Sequence, residues 1–493
     1  MKNKSKLKPS KEQKIISNLI NNENNKTLKI NAFAGTGKTT TLLFISNYYN
    51  SNNNFKRILY LVFNKANEIE AKQKFPKNTF VKTINSLAFN YIRNNTNINL
   101  KNVRQDYKPK EISKLYNISI LEAENALNLF NNFCFSNALT FDELGDGLST
   151  KIPKQMFGDM RSNIIDCTHN FYLKFYHLMI VHKKAPKMIY DIAFIDEAQD
   201  TNMVTLDIFL RLDIKQKVFV GDTHQQIYAF RGAKNIMDRI QVEETYLTQT
   251  FRFNNDIADI ANKLLKKFKG EKHKIITNIE KNLNDLKTTC YINRTNAGLI
   301  ANMNELILNK NKFVTIRNPE EIFSLVEDLF YFVHGFKSKI KKNKYLLNFK
   351  SLSELITYSK DVDDYELKSA IKIIEEYDNK IFDIKRIALR YYNNSDNIDI
   401  FLTTAHASKG LEWDKVIIED DFQDFIKLIK EKIKLDTIQK FRKNINSLNP
   451  LVINEFNLFY VAITRAKQLL VINSINNKYI DMSNKDINIL LKK

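Results

Sequence analysis

The chain has 493 residues, enough for several domains whose cores need no cross-links, and its cysteines, Cys134, Cys167 and Cys290, are far apart with no C-x-x-C pair. That pattern argues against a disulfide framework or a zinc or iron–sulfur site and fits a reducing, intracellular setting. Lys plus Arg outnumber Asp plus Glu by 76 to 55, a net charge of +21 that would attract a polyanion, although a chain rich in Lys, Asn and Ile throughout also carries many lysines as solvated surface.

The start, MKNKSKLK, is basic, but the apolar positions after it are broken by Ser17 and Asn18, unlike a signal-peptide core. No apolar run approaches a bilayer span, so the chain reads as soluble and cytoplasmic, without a membrane partner. A first strand is expected at Leu28–Asn31. It runs into AFAGTGKTTT, which fits the phosphate-loop pattern G-x-x-x-x-G-K-[ST] with Ala32 in the first position. Gly35 and Gly37 permit a backbone that wraps phosphate oxygens, and a helix from Thr39 to Tyr49 aims its positive end at them. Lys38 would reach the β- and γ-phosphates of ATP, and the Thr39 hydroxyl would ligate Mg²⁺. The candidate nucleotide-binding set is thus Ala34, Gly35, Thr36, Gly37, Lys38, Thr39 and Thr40.

Further strands are expected at Ile58–Phe63 and Phe80–Ile84, and Asn50–Asn54 reads as a loop. From 91 to 185 the pattern turns helical, as in LEAENALNLFNNF. The apolar strand Ile192–Ile195 then delivers Asp196 and Glu197 at its carboxyl end, where ligands bind open α/β sheets. Asp196 suits the metal and Glu197 the attacking water. Val218–Val220 completes this first group. A second group comprises Cys290–Ile292, Val314–Ile316, Phe401–Thr403, Val416–Ile418 and Leu469–Ile472. It is interrupted by a helical stretch, 337–394, in which Leu367, Ile371 and Ile374 share one face. Strands alternating with helices predict two α/β domains with parallel sheets.

Ten segments in fixed order then carry a resemblance: PSKEQ, AFAGTGKTT, LVFNKA, KTINSLAF, FIDEAQD, VGDTHQQIYAFRGA, LTQTFRF, INRTNA, LTTAHASKGLEWD and YVAITRA. Nearly the whole chain resembles superfamily 1 DNA helicases of the UvrD/Rep/PcrA type, and more closely the branch containing the F-box DNA helicase, though without an F-box. The resemblance implies two RecA-like phosphate-loop NTPase domains. The first is expected at 1–90 and 186–245 with a helical insertion at 91–185, and the second at 246–336 and 395–493 with a reduced insertion at 337–394.

It also implies roles. Gln13 would bond the adenine edge, Phe251 stack on the base, and Glu412 contact the ribose. Gln225 would sit near the γ-phosphate and couple nucleotide state to the DNA groove, while Arg252 and Arg465 resemble arginine fingers. Phe63, Asn64, Tyr228, Phe230 and Arg231 match positions along the single-strand track, with His406 and Lys409 touching the strand from the second domain. Taken alone, each of these aromatics is more often core than contact.

The chain departs from the family at several positions. Phe230 stands where Trp is common, Asn85 where His is common, and His224 where an acid is common. The interval from Phe253 to Leu402 leaves no room for a large second insertion. The lysine-rich stretch Phe422–Pro450 has no counterpart that explains it. The resemblance implies an ATP-dependent 3′-to-5′ DNA helicase and single-strand translocase in repair or recombination, acting on single-stranded and partial duplex DNA as a monomer or weak oligomer. The alternative is a DNA-stimulated ATPase switch that serves a protein partner, a repair factor or a nuclease in antiviral defence. A phosphate-loop kinase would explain the first two motifs but not the paired arginines.

Overall fold

The computed structural model describes residues 8–22, 27–51, 55–182, 189–228, 236–361, 364–445 and 450–492. The chain divides into two compact units, Met1–Gln249 and Thr250–Lys493.

The first unit is built on a parallel sheet of β1 (Thr27–Ala32), β2 (Ile58–Val62), β3 (Thr79–Thr83), β4 (Ile192–Ile195), β5 (Gln216–Gly221) and β6 (Glu243–Leu247), in the order β3-β2-β4-β5-β1-β6. Parallel strands need crossovers, and helices supply them: α2 (Lys38–Tyr48) between β1 and β2, α3 (Lys65–Lys74) between β2 and β3, and α4 (Ile84–Asn95) after β3, while α1 (Lys11–Asn21) precedes the sheet. The two-residue side-chain period divides the core between the two faces of the sheet. Ile58, Tyr60, Phe194, Val218 and Val220 pack with Ile16, Ile20, Leu42 and Ile45 on one face. Leu59, Leu61, Ala193, Ile195 and Phe219 pack on the other, against Phe130, Phe133, Phe171 and Tyr176. Those last four come from the helical stretch between β3 and β4, namely α5 (Pro109–Tyr116), α6 (Ile120–Phe135), α7 (Lys151–Arg161) and α8 (His169–Val181), with α9 (Met203–Arg211) after β4. The helical stretch therefore shares one continuous core with the sheet.

The second unit holds β7 (Thr289–Asn293), β8 (Val314–Thr315), β9 (Ile400–Thr404), β10 (Trp413–Ile418) and β11 (Ala466–Ile472), again all parallel, in the order β11-β10-β7-β9-β8. Two parallel-sheet α/β units of the RecA-like kind agree with the expected fold class. α10 (Asn255–Leu264) precedes the sheet and α11 (Asn296–Leu308) follows β7. Between β8 and β9 run α12 (Pro319–Ile322), α13 (Ser324–Val333), α14 (Leu352–Asp361), α15 (Tyr365–Tyr377) and α16 (Lys380–Asn393). Leu367, Ile371 and Ile374 of α15 are all buried in one cluster with Leu299, Ile300 and Leu329, so the helical stripe read from the sequence is the face that packs. Among the described residues, no helix is long and apolar enough to cross a membrane.

The stretch Phe422–Pro450 is explained in part by packing. Phe422, Phe425, Ile429 and Phe441 are buried, and Phe425 and Phe441 stand 4.4 and 5.2 Å from the ring of Phe456. Its lysines Lys427, Lys430, Lys434 and Lys443 stay exposed.

Candidate functional site

β1 leads into the loop through buried Phe33 and Ala34. Gly35 and Gly37 adopt φ of 73° and 78°, the left-handed region in which a β-carbon is strained. Gly37 is the N-cap of α2 and brings no side chain to its first turn, so those amides are the ones an anion takes. Thr36 is buried and its hydroxyl donates to Phe33 O at 2.8 Å, which ties the loop to itself. Thr41 Oγ1 donates to Gly37 O at 2.9 Å and accepts from Gln13 Nε2 at 3.1 Å. Gln13 is only 4% exposed, and its Oε1 accepts from Ser10 N at 2.9 Å as one half of a capping box. The glutamine expected on adenine thus fastens α1 to the phosphate helix.

β5 lies between β1 and β4, which places the carboxyl ends of all three side by side. Tyr60, buried on β2, donates its hydroxyl to Asp196 Oδ2 at 2.7 Å and also interacts with the Thr39 hydroxyl. The two residues expected at the metal therefore meet around one tyrosine that the sequence reading missed. Burial, and then the charge of Glu197, raise the pKa of Asp196, while Tyr60 and Lys38 act to lower it. Burial and the same carboxylates hold the Tyr60 hydroxyl protonated. No cluster of three or more His, Cys, Asp or Glu suited to a metal occurs among the described residues. A hydroxyl and one carboxylate suit Mg²⁺, which keeps waters and phosphate oxygens as its other ligands.

Glu197 has φ 51° and ψ 40°, a strained backbone for a residue with a side chain. Its amide donates to Asp196 Oδ1 at 2.9 Å, and its carboxylate accepts from Gln199 Nε2. Gln199 Oε1 in turn accepts the Asp222 amide at 3.0 Å, and Asp222 Oδ2 accepts from Gln225 Nε2 at 2.7 Å. Glu197, Gln199, Asp222 and Gln225 thus form one hydrogen-bonded line from the end of β4 to the turn after β5. Gln199 and Asp222 were not singled out from the sequence. They stand inside FIDEAQD and VGDTHQQ, yet only the approach of two strand ends couples them. His224 stacks on Phe33 with ring centroids 5.8 Å apart, a packing role at a position where the family often has an acid.

A groove of about 610 Å³ opens at the carboxyl ends of β2 and β3, lined by Phe63, Lys65, Lys72, Lys82, Asn85 and His169 among others. Phe63 is 39% exposed and stacks on Tyr228 at 5.5 Å and 18°. Asn64 also lines the groove, with its side chain capping α3 through the Asn67 amide at 2.8 Å. Phe230 and Arg231 lie outside the described residues.

In the second unit Phe251 is 52% exposed. Arg252 Nε donates to Glu412 Oε2 at 2.8 Å and its Nη1 to Thr464 O at 3.3 Å. Glu412, expected on the ribose, is therefore a partner of Arg252. Arg465 is 1% exposed, and its guanidinium donates to Val461 O at 2.8 Å, Leu411 O at 3.3 Å and Thr464 Oγ1 at 3.1 Å. The structure thus half-buries one expected arginine finger, its side chain 16% exposed, and encloses the other. His406 and Lys409 sit half-buried in the turn after β9.

Residues 15–231 match the family described as AAA domain. The chain is 28% identical over 92% of its length to F-box DNA helicase protein 1 of Schizosaccharomyces pombe, covering 56% of that protein. It is 27% identical over 94% of its length to F-box DNA helicase 1 of Gallus gallus, covering 48% of it. A shorter match, 38% identical over 18% of the chain and 14% of the relative, is to the "Probable DNA helicase II homolog" of Mycoplasma capricolum. The chain spans about half the length of the F-box helicases it matches. These comparisons bear out the resemblance that the motifs carry, to UvrD-like superfamily 1 DNA helicases and within them to the F-box helicase branch.

Proposed function

We propose that the chain hydrolyses ATP to move 3′ to 5′ along single-stranded DNA and separate duplex ahead of it, in DNA repair or recombination. The observation that carries this reading is the line from Glu197 through Gln199 and Asp222 to Gln225, starting beside the phosphate loop. A motor needs the nucleotide's state to be felt elsewhere, and a rigid hydrogen-bonded line between two strand ends does that.

Magnesium, bound with the nucleotide, would neutralise phosphate charge and would be held by the Thr39 hydroxyl and the Asp196 carboxylate. Tyr60 keeps that carboxylate oriented. Lys38 and the amides of the first turn of α2 bind the phosphates. Glu197, fixed by Gln199, orients the attacking water and takes its proton. Arg252 and Arg465 are assigned to the charge that builds on the γ-phosphoryl oxygens, a role worth on the order of 10³ to 10⁵ in rate. Phe251 is assigned to the base. Gln225 reports the γ-phosphate to the segment that continues to Tyr228, which stacks on Phe63 in the groove. DNA bases stack on such faces without being read.

The test compares hydrolysis with and without single-stranded DNA in wild type and Lys38→Ala. Stimulation lost in the variant supports the motor, and hydrolysis indifferent to DNA rejects it. Strand displacement from 3′-tailed against 5′-tailed duplexes tests polarity, and unwinding from 5′ tails alone would reject the stated direction.

A second reading, a DNA-stimulated switch serving a partner protein, is favoured by one feature. The helices between β8 and β9 pack into the core of their own unit. Strong hydrolysis with no strand displacement by the isolated chain would select it.

A further inference from the structure

The stretch Phe422–Pro450 does not enter the mechanism above, and what it builds points elsewhere. Between 425 and 445 the chain carries seven lysines and arginines against Glu431 and Asp436, and between 263 and 274 six lysines against Glu271. Far apart in sequence, the two segments are packed together. Phe268 meets Phe425 edge-on at 5.1 Å, and Arg442 donates through Nε to Lys267 O. Lys267 caps the end of the helix Asn476–Asp481 through Tyr479 O at 2.9 Å and Ile480 O at 2.7 Å, and Ile438 N bonds Asn488 Oδ1 at 2.9 Å in the last helix, Asn484–Lys492. Two basic segments and the C-terminal helices thus pack together. Around them Lys266, Lys427, Lys430, Lys434, Lys443 and Lys485 are exposed. Acids in this cluster pair with some of its lysines, Asp481 with Lys263 and Asp436 with Lys440, each at 2.8 Å, but the lysines are in excess, and like charges so concentrated repel unless screened or bound.

We propose that this face of the second unit is a second nucleic-acid site, which takes the phosphate backbone of duplex. The inference rests on the DNA-motor reading for its ligand class. The choice of duplex follows from the side chains: among the described residues, no exposed aromatic stands in these segments, whereas the groove of the first unit presents Phe63. Lysines without aromatic faces hold phosphates and leave bases stacked, while single-strand binding uses ring faces. The site holds the unopened arm independently of sequence, and its grip weakens steeply with salt.

The experiment measures binding of a short blunt duplex and of oligo-dT to the full chain across a salt series. The variant is Lys427→Gln/Lys430→Gln/Lys434→Gln/Lys443→Gln, with Lys266→Gln/Lys485→Gln as an independent second variant. A control of equal net charge, Lys310→Gln/Lys312→Gln/Lys337→Gln/Lys344→Gln, alters exposed lysines elsewhere in the same unit. The expected result is at least about tenfold weaker duplex binding in the fourfold variant, with a log–log salt slope shallower by about 3 to 4, since each phosphate contact contributes about 0.9. The twofold variant moves the same way by less. Oligo-dT binding and DNA-stimulated hydrolysis stay as in wild type, and the control changes neither. Duplex binding that is absent in wild type, unaltered in both variants, or weakened equally by the control overturns the proposal. Because the duplex readout is binding alone, it stands apart from whether single-stranded DNA stimulates hydrolysis.

Discussion

Gly221 and Gln199 approach too closely for a side chain at 221: a β-carbon there would overlap Gln199 Oε1 and stand 3.2 Å from the Gln199 backbone nitrogen. The overlapped atom is the acceptor of the Asp222 amide. Gly221→Ala should therefore break the line at its centre. We expect a stability loss of about 1 to 3 kcal/mol, as for other overpacked sites. Hydrolysis should fall by about tenfold or more, since a misplaced catalytic group loses at least that. Chemical denaturation and steady-state hydrolysis read the two effects, and wild-type turnover in the variant would remove the line from the mechanism.

The two arginines should separate in a stability assay. Arg252, its side chain 16% exposed, pairs with the half-exposed Glu412 and donates to Thr464 O, so Arg252→Ala should cost about 1 kcal/mol. Arg465 is enclosed, and Arg465→Ala strips donors from buried acceptors at about 1 to 3 kcal/mol apiece. Both variants should lose hydrolysis, but only the second should unfold much earlier in denaturant. Equal midpoints would mean that Arg465 is not held as described.

Phe63 is the exposed ring of a stacked pair, so Phe63→Ala should weaken single-strand binding by about 1 to 3 kcal/mol. Hydrolysis without DNA should be unchanged. Anisotropy with oligo-dT checks the first expectation, and an unaltered affinity would place the strand elsewhere.

A pH dependence follows from Lys174, which is buried with its ammonium donating to Ser136 O and Ala138 O and lying 3.4 Å from His177 Nδ1. Burial holds its pKa down to about 8, against 10.5 ordinarily. Between these values the unfolded chain binds more protons than the folded one, so this group's contribution makes stability rise as pH rises from about 8 towards 10.5. Over the full window the gain is on the order of 3 kcal/mol. Lys174→Met should remove that rise, and identical pH slopes in variant and wild type from 8 to 10 would count against it.

Much of the architecture was legible in advance, because apolar strands bounded by glycines and acids announce themselves. Each expected strand segment lies in one of the two sheets. β6 escaped because it is an edge strand in which only Leu247 is buried, so Glu243 and Glu244 gave it the look of a loop. Lys38, Thr39, Asp196 and Glu197 follow from loop chemistry and strand ends. Tyr60 could not be found that way, since its bond to Asp196 depends on β2 and β4 being neighbours. Gln13 and Glu412 carry the right chemistry for a ligand but bond within the protein, and no local pattern distinguishes the two uses. In Phe422–Pro450 the lysines masked the apolar residues that decide its packing.

The Glu12 carboxylate in α1 accepts from the amides of Thr248 and Gln249, at 2.8 and 3.1 Å, and so pins the chain up to the last residue of the first unit. At the next residue, Thr250 N already bonds Ile276 O of the second. Phe251 and Arg252, although only a few residues from β6, are thus mounted on the second unit. Any displacement of Thr250 and Ile276 therefore carries Phe251 and Arg252 with it, whereas Thr248 and Gln249 stay tied to α1.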